Sequence, residues 1–201
     1  MPDLDALRTF ARLGSATVFE AAGRRGIVDL ELRQIVPGAS VAGPARPVRC
    51  GQDDNLMVHA AVAHARAGDV LALTMQEPRP IALVGDLLAT QAKARGVAAL
   101  LVDAAVRDLE RLVEIGLPIW ARWVRIRGAD KEIVGTIDEP VVVGGQVIAA
   151  DDIVVLDAAL AREDEERAKR DQLRAGALSY DLDRLRERVE RSALHSDPGA
   201  A

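Results

Sequence analysis

Cysteine is nearly absent from this 201-residue chain: Cys50 stands alone, so neither a disulfide framework nor a thiolate metal cage can form within one copy. Aromatic residues are equally scarce, with two Phe, two Trp and one Tyr, which leaves few stacking platforms for single-stranded bases. No charge of one sign dominates. The 26 Lys and Arg are interspersed among 31 Asp and Glu for a net charge of −5, and no basic stripe exists to attract nucleic acid. Nor is there an uninterrupted apolar run of about 18 residues, so no membrane helix is expected. The opening "MPDLDALRTFARLG" has acids among its apolar residues and does not read as a secretory signal. These absences point to a reducing, cytoplasmic setting with neither nucleic acid nor membrane as partner.

What is present suits a globular core. At 49% hydrophobic content the length favours one domain with an appendage. Leu4, Leu7, Phe10 and Ala11 predict a first helix, and "SATVFEAAGRRG" predicts a second, capped by Ser15 and stopped by Gly26. "VPGASVAGPARPVRC" suits a short bent strand, and "DDNLMVHAAVAHARAGD" a helix that Asp53 or Asp54 can cap and Gly68 ends. Strand-like and helix-like runs then alternate: "VLALT", "PIALVG", "DLLATQAKARG", "VAALLVD", "RDLERLVEIG", "PIWARWVRI". That alternation predicts an α/β fold with a parallel core, followed by a β meander over "EPVVVGGQVIAADDIVVLD". From Ala158 the composition becomes densely charged, with a narrow apolar stripe at Leu182, Leu185 and Val189 that needs a packing surface. The predicted division is 1–157 for the main domain and 158–201 for a charged helical tail.

Two strand-to-helix crossings carry acid: Asp86 in one, Asp103 and Asp108 in the other, with Arg107 beside Asp108. Carboxyl ends of parallel strands lie together, so Asp86, Arg107 and Asp108 are expected to converge at one edge. The helix starting at Leu87 offers the free N–H groups of Leu87 and Leu88 as an anion seat. An Arg can grip a carboxylate bidentately, and an Asp can hold a hydrated divalent cation. Spacing alone also allows a plainer reading, with Asp86 as a helix cap and Arg107 and Asp108 as first-turn surface residues. His59 and His64 are five apart, about 140° around a helix, and form no metal face. Glu20 reads as exposed or capping, Trp120 and Trp123 as packing groups, and Cys50 as a small buried hydrophobe.

"GDLLATQAKARGVAALLVDAAVRDLERL" followed by "GLPIWAR" resembles the signature of the RraA-like family. "TVFEAAGRRG", "VAGPARPVRC", "DDNLMVHAAVAHARAGDVL" and "PVVVGGQVIAADDIVVLD" are similar to family stretches in the same order, over residues 15–157. The family's catalytic members are 4-hydroxy-4-methyl-2-oxoglutarate and 4-carboxy-4-hydroxy-2-oxoadipate aldolases. The resemblance implies a swivelling β/β/α-type domain with helices flanking the sheets, and a class II pyruvate aldolase that uses Mg2+ or Mn2+ to hold the pyruvate enolate. It implies further that Asp108 holds the metal largely through waters, and that Glu166 reaches a neighbouring subunit's metal. Arg107 would clamp the pyruvoyl end, Gly85, Leu87 and Leu88 would bind substrate, and Asp86 would orient a catalytic water. Oxaloacetate decarboxylation is implied as a side activity, Lys131-Glu132 as a contact to the distal substrate carboxylate, and a homo-oligomer, trimer or hexamer, as the assembly.

The sequence departs from the family pattern in three ways. Ala104 follows Asp103 where members commonly have Gly, Ala150-Asp151-Asp152 replaces Pro-Gly-Asp, and about twenty residues that usually follow "IVVLD" are missing. The family also contains non-catalytic inhibitors of ribonuclease E, and a lyase or decarboxylase repurposed for another oxo acid is a third reading.

Overall fold

The strand and helix alternation builds four helices and ten strands among the described residues, 3–157 of a computed structural model. In chain order these are α1 (Leu4–Ala21), β1 (Arg33–Gln34), β2 (Val41–Cys50), α2 (Leu56–His64), β3 (Val70–Met75), β4 (Ala82–Val84) and α3 (Asp86–Ala94). There follow β5 (Ala99–Val106), α4 (Leu109–Ile115), β6 (Ile119–Val124), β7 (Thr136–Ile137), β8 (Val141–Val143), β9 (Gln146–Ile148) and β10 (Ile153–Leu156). The expectations for Glu166 and for the Leu182, Leu185, Val189 stripe lie outside the described residues.

The main sheet runs β1-β6-β5-β3-β2-β10. Its centre, β2, β3, β5 and β6, is parallel. Parallel neighbours need crossovers, which α2, α3 and α4 provide. Antiparallel β1 and β10 close the two ends of the sheet, β7 pairs with part of β2, and β4 runs parallel to the end of β5. Every residue of β3 and β5 is buried, as befits strands covered on both faces. On one face Val58, Val62, Leu88, Ala92 and Leu112 of the helices pack on Val48, Leu71, Leu73, Leu100 and Val102. On the other, Val141, Val143, Ile148 and Leu156 cover Val70, Ala72, Leu101 and Trp120. The result is the expected layering of β, β and α.

The two predicted N-terminal helices are present as the two arms of α1, which kinks at Gly14 (φ 79°, ψ 161°), the residue before Ser15. Several other local expectations are corrected. Ser15 is not a self-sufficient cap: its N–H and hydroxyl both donate to Asp157 after β10, at 2.7 Å each. The helix stops at Ala21, before Gly23 (φ 71°), rather than at Gly26. The "VPGASVAGPARPVRC" segment holds a ten-residue strand, not a short one. Its Arg46 donates to both Asp138 oxygens at 3.0 Å and lies 3.4 Å from buried Asp69. The expected meander divides, with β8 and β9 forming a separate hairpin through Gly144 and Gly145, both at positive φ, while β10 crosses to β2.

Asp54, not Asp53, serves the start of α2: its Oδ1 accepts the Leu56 N–H at 2.8 Å, while Oδ2 accepts those of Glu132 and Ile133. Cys50 is buried at the end of β2, and burial, with the Asp54 charge nearby, pushes its thiol up to about 12. No helix among the described residues is long and apolar enough to cross a membrane.

Candidate functional site

Strand β5 does not end at Asp103, as its polarity suggests. It continues through Ala104 and Ala105 to Val106, and Asp103 is a buried mid-strand residue. The crossing therefore carries Arg107 and Asp108 alone. Asp108 sits at the N-cap of α4 in the left-handed region (φ 60°, ψ 42°), which a short polar side chain tolerates better than most. Its carboxylate makes no cap bond to α4. Instead Oδ2 accepts the backbone N–H of Asp86 at 3.3 Å and lies 3.3 Å from Arg107 Nε. Its other oxygen has no hydrogen-bond partner among the described residues.

Gly85 explains how the pair comes so close to the start of α3. A Cβ there would stand 2.6 Å from Asp108 Oδ2 and 3.0 Å from Arg107 Nε, and one at Gly128 would stand 2.8 Å from Arg107 Nη1. The guanidinium therefore passes between two glycines whose missing side chains make room for it. Backbone contacts fix the same region: Arg107 N–H donates to Val84 O at 3.0 Å, and Arg125 N–H donates to Val106 O at 2.9 Å. Asp86, Arg107 and Asp108 thus converge as expected, lining a cleft of about 810 Å³ with Leu109, Glu110, Arg111, Val124, Arg125 and Ile126.

The amide seat differs from expectation. Leu87 N–H is taken by the Asp86 carboxylate itself at 2.8 Å, so an incoming anion meets a like charge there. Gly85, Leu87 and Leu88 lie beside the cleft rather than on its lining, and Leu88 is buried. Lys131 and Glu132 do not line it either. Sequence reasoning missed Arg111 and Arg125. Arg111 is one helical turn after Arg107, and Arg125 follows the carboxyl end of β6, the parallel neighbour of β5; both spacings carried a signal.

The remaining candidates fall elsewhere. His59 Nε2 is buried without a partner, and burial, then the Lys131 charge, lowers that imidazole, while His64 is exposed. No group of three or more His, Cys, Asp or Glu among the described residues could hold a metal by itself. Glu20 is exposed and paired with Arg24. Trp120 packs in the core and donates to Asp157 O, while Trp123 lies half-buried beneath the Arg122 guanidinium.

A family model described as "RraA-like: Aldolase/RraA" matches residues 13–159. The chain belongs to the RraA-like family. A curated relative from Halalkalibacterium halodurans, "Putative 4-hydroxy-4-methyl-2-oxoglutarate aldolase", is 29% identical over 78% of this chain and 74% of its own. Among solved structures, the RNA-processing inhibitor RraA from Thermus thermophilis is similar at 26% identity and a TM-score of 0.64, over 71% of this chain and 87% of that one. Streptomyces coelicolor RraAS2, an unusual member of the RNase ES inhibitor RraA protein family, shares the fold at a TM-score of 0.66 and 24% identity, over 88% of this RraA-like chain and 98% of that one.

Proposed function

We propose that this RraA-like chain is a divalent-metal-dependent class II pyruvate aldolase, cleaving a 4-hydroxy-2-oxo acid to pyruvate and a second oxo acid and decarboxylating oxaloacetate in the same cleft. The observation that carries the reading is the Arg107–Asp108 pair folded over Gly85, with Asp108 turned away from its own helix. A carboxylate withheld from capping, with one oxygen unengaged among the described residues, fits a hydrated Mg2+ or Mn2+, which retains most of its waters and needs only one or two protein carboxylates. Asp108 would hold it, with Glu166 of a neighbouring subunit as the second ligand that the family resemblance implies. The cation would supply the positive charge that draws electrons toward the substrate's 2-oxo group.

The chain's own groups do the rest. Arg107 grips the pyruvoyl carboxylate through its fork and offsets the charge that builds as the C3–C4 bond breaks. Asp86 orients a water that accepts the C4 hydroxyl proton and returns one to C3 of the departing pyruvate. Oxaloacetate loses carbon dioxide to leave the same three-carbon enolate. Arg125 supplies further positive charge for the substrate's distal carboxylate, with Arg111 beside it paired to Glu114 at 2.7 Å. Leu87 beside the cleft and Ile126 on its lining, 72% and 94% exposed, favour the homo-oligomer that the family resemblance implies.

The test is turnover of oxaloacetate and several 4-hydroxy-2-oxo acids after dialysis against a chelator, with and without added Mg2+ or Mn2+. Metal-restored pyruvate release supports the proposal. Turnover that survives chelation rejects the class II assignment. Absence of turnover at any metal, with capture of ribonuclease E, favours the inhibitor-type reading.

A further inference from the structure

Asp103 is buried in the middle of β5, and nothing in the proposed chemistry uses it. Its surroundings mark a fork in the sheet. Up to Val102, β5 pairs with β3 on one side (Leu73↔Val102) and β6 on the other (Val102↔Ala121). Beyond that point β3 leaves, and β4 takes its place, with Ala82↔Ala105. At the same point the β5–β6 register shifts from Val102↔Ala121 to Ala105↔Trp123, so that Asp103 and Ala104 stand against the single residue Arg122. Such bulges are rare between parallel strands and are found beside active sites, where they re-aim a side chain.

The Asp103 carboxylate occupies this fork. Its Oδ1 accepts from Arg122 Nη1 of β6 at 3.1 Å, and its Oδ2 lies 3.4 Å from Thr74 Oγ1 of β3, whose single proton it shares with Met75 O at 3.3 Å. Arg122 is itself held in place over the Trp123 ring, 4.3 Å from its centroid. Burial pushes the Asp103 carboxyl up, and the Arg122 hydrogen bond and charge pull it back down. The left-handed turn at Asp108 lies only five residues on. A one-residue slip in that short span would exchange the faces of Arg107 and Asp108, because side chains alternate along a strand. Ala104, standing where the family commonly has Gly, is not among the residues at positive φ, so the bulge here depends on no glycine geometry.

We propose that Asp103 is a positioning residue: by joining β3, β5 and β6 at the bulge, its carboxylate fixes the register in which Arg107 and Asp108 leave the sheet over Gly85. The inference rests on the proposed aldolase reading for its kinetic consequence, though not for its structural one.

Two variants test it, Asp103→Asn, which keeps the shape and removes the charge, and Arg122→Gln, which removes the partner from the more exposed side. The readouts are kcat and KM for oxaloacetate with Mg2+, and the amide resonance of Asp86, which reports the hydrogen bond to Asp108. Both variants are expected to shift that resonance and to lower kcat by about a hundredfold, the scale of a small misplacement of a catalytic group, with a smaller change in KM. On an Arg107→Lys background the Asp103→Asn loss is expected to shrink to a few-fold, since the two residues act through one geometry. An unshifted Asp86 resonance in both folded variants overturns the proposal, as does an equal kcat loss on the two backgrounds. If wild-type protein shows no turnover at all, the aldolase reading fails, while the Asp86 resonance still decides the role of Asp103.

Discussion

Gly85 is the residue on which the geometry of the site depends most directly. Its backbone is extended (φ −130°, ψ −169°), so an alanine is conformationally acceptable there. The three atoms a methyl group would meet most closely are Asp108 Oδ2, Arg107 Nε and Arg107 Cγ, at 2.6, 3.0 and 3.2 Å, all in side chains rather than backbone. Gly85→Ala is therefore expected to leave stability within about 0.5 kcal/mol, as for a benign surface change. It should nonetheless lower kcat/KM for oxaloacetate by about a hundredfold, because both displaced groups belong to the proposed site. Thermal unfolding and steady-state kinetics on the same preparation check the two halves, and unchanged turnover would mean that the pair need not touch this turn. The importance of Gly85 is hard to see in sequence, where it reads as an ordinary residue before a helix; its constraint comes from side chains 22 and 23 positions later.

Among the elements, the loop after β6 is held to the start of α2 by a single carboxylate. Asp54, fully buried, accepts N–H groups from Leu56 at the start of α2 and from Glu132 and Ile133 in that loop. The same loop carries Gly128 against Arg107. Burial alone would raise the Asp54 carboxyl, but the three backbone donors, with the Lys131 charge, outweigh it and hold it below the usual carboxylate range. A lowered folded-state value means stability that is fully present above the unfolded value of about 3.9 and lost as pH falls through the folded one. Asp54→Ala is expected to cost about 3 kcal/mol at neutral pH, since it leaves buried N–H groups without an acceptor. It should also flatten the dependence of the urea midpoint on pH below about 4. A variant whose midpoint moves in parallel with wild type through the acid range would assign that dependence to other carboxylates.

Element order was legible in the sequence because strand-length apolar runs and helix-length runs alternate without ambiguity from Val70 to Val124. The meeting of Asp86, Arg107 and Asp108 was legible for the same reason, since it follows from strand ends alone. The true end of β5 was not: Asp103 looks like a terminator until Arg122, 19 positions on, is known to neutralise it. Nor was the tie between Ser15 and Asp157, whose carboxylate accepts from it across 142 residues of sequence. Local chemistry announced the groups, and long-range pairing decided their use.

For the molecule as a whole, buried charge marks where its layers join. Arg46 ties β2 to Asp69, before β3, and to Asp138, after β7, while Asp103 joins the central strands nearer their carboxyl ends. Such pairs add little net stability over apolar substitutes, but a strand that slips leaves a charge unpaired, so they discriminate against wrong registers. Cys50, 3% exposed, stands in the last pair of the β2–β3 ladder, opposite Met75. Alkylating reagents attack the thiolate, and a thiol pushed up to about 12 has almost none at pH 8. Iodoacetamide should therefore mark only molecules in which β2 has parted from β3, with the labelled fraction rising across the urea transition and not before it. Labelling within minutes in plain buffer would instead reveal that this end of the ladder opens locally. As the chain's sole cysteine, Cys50 serves as a built-in stopwatch for the opening of the sheet, read by mass spectrometry without any engineered probe.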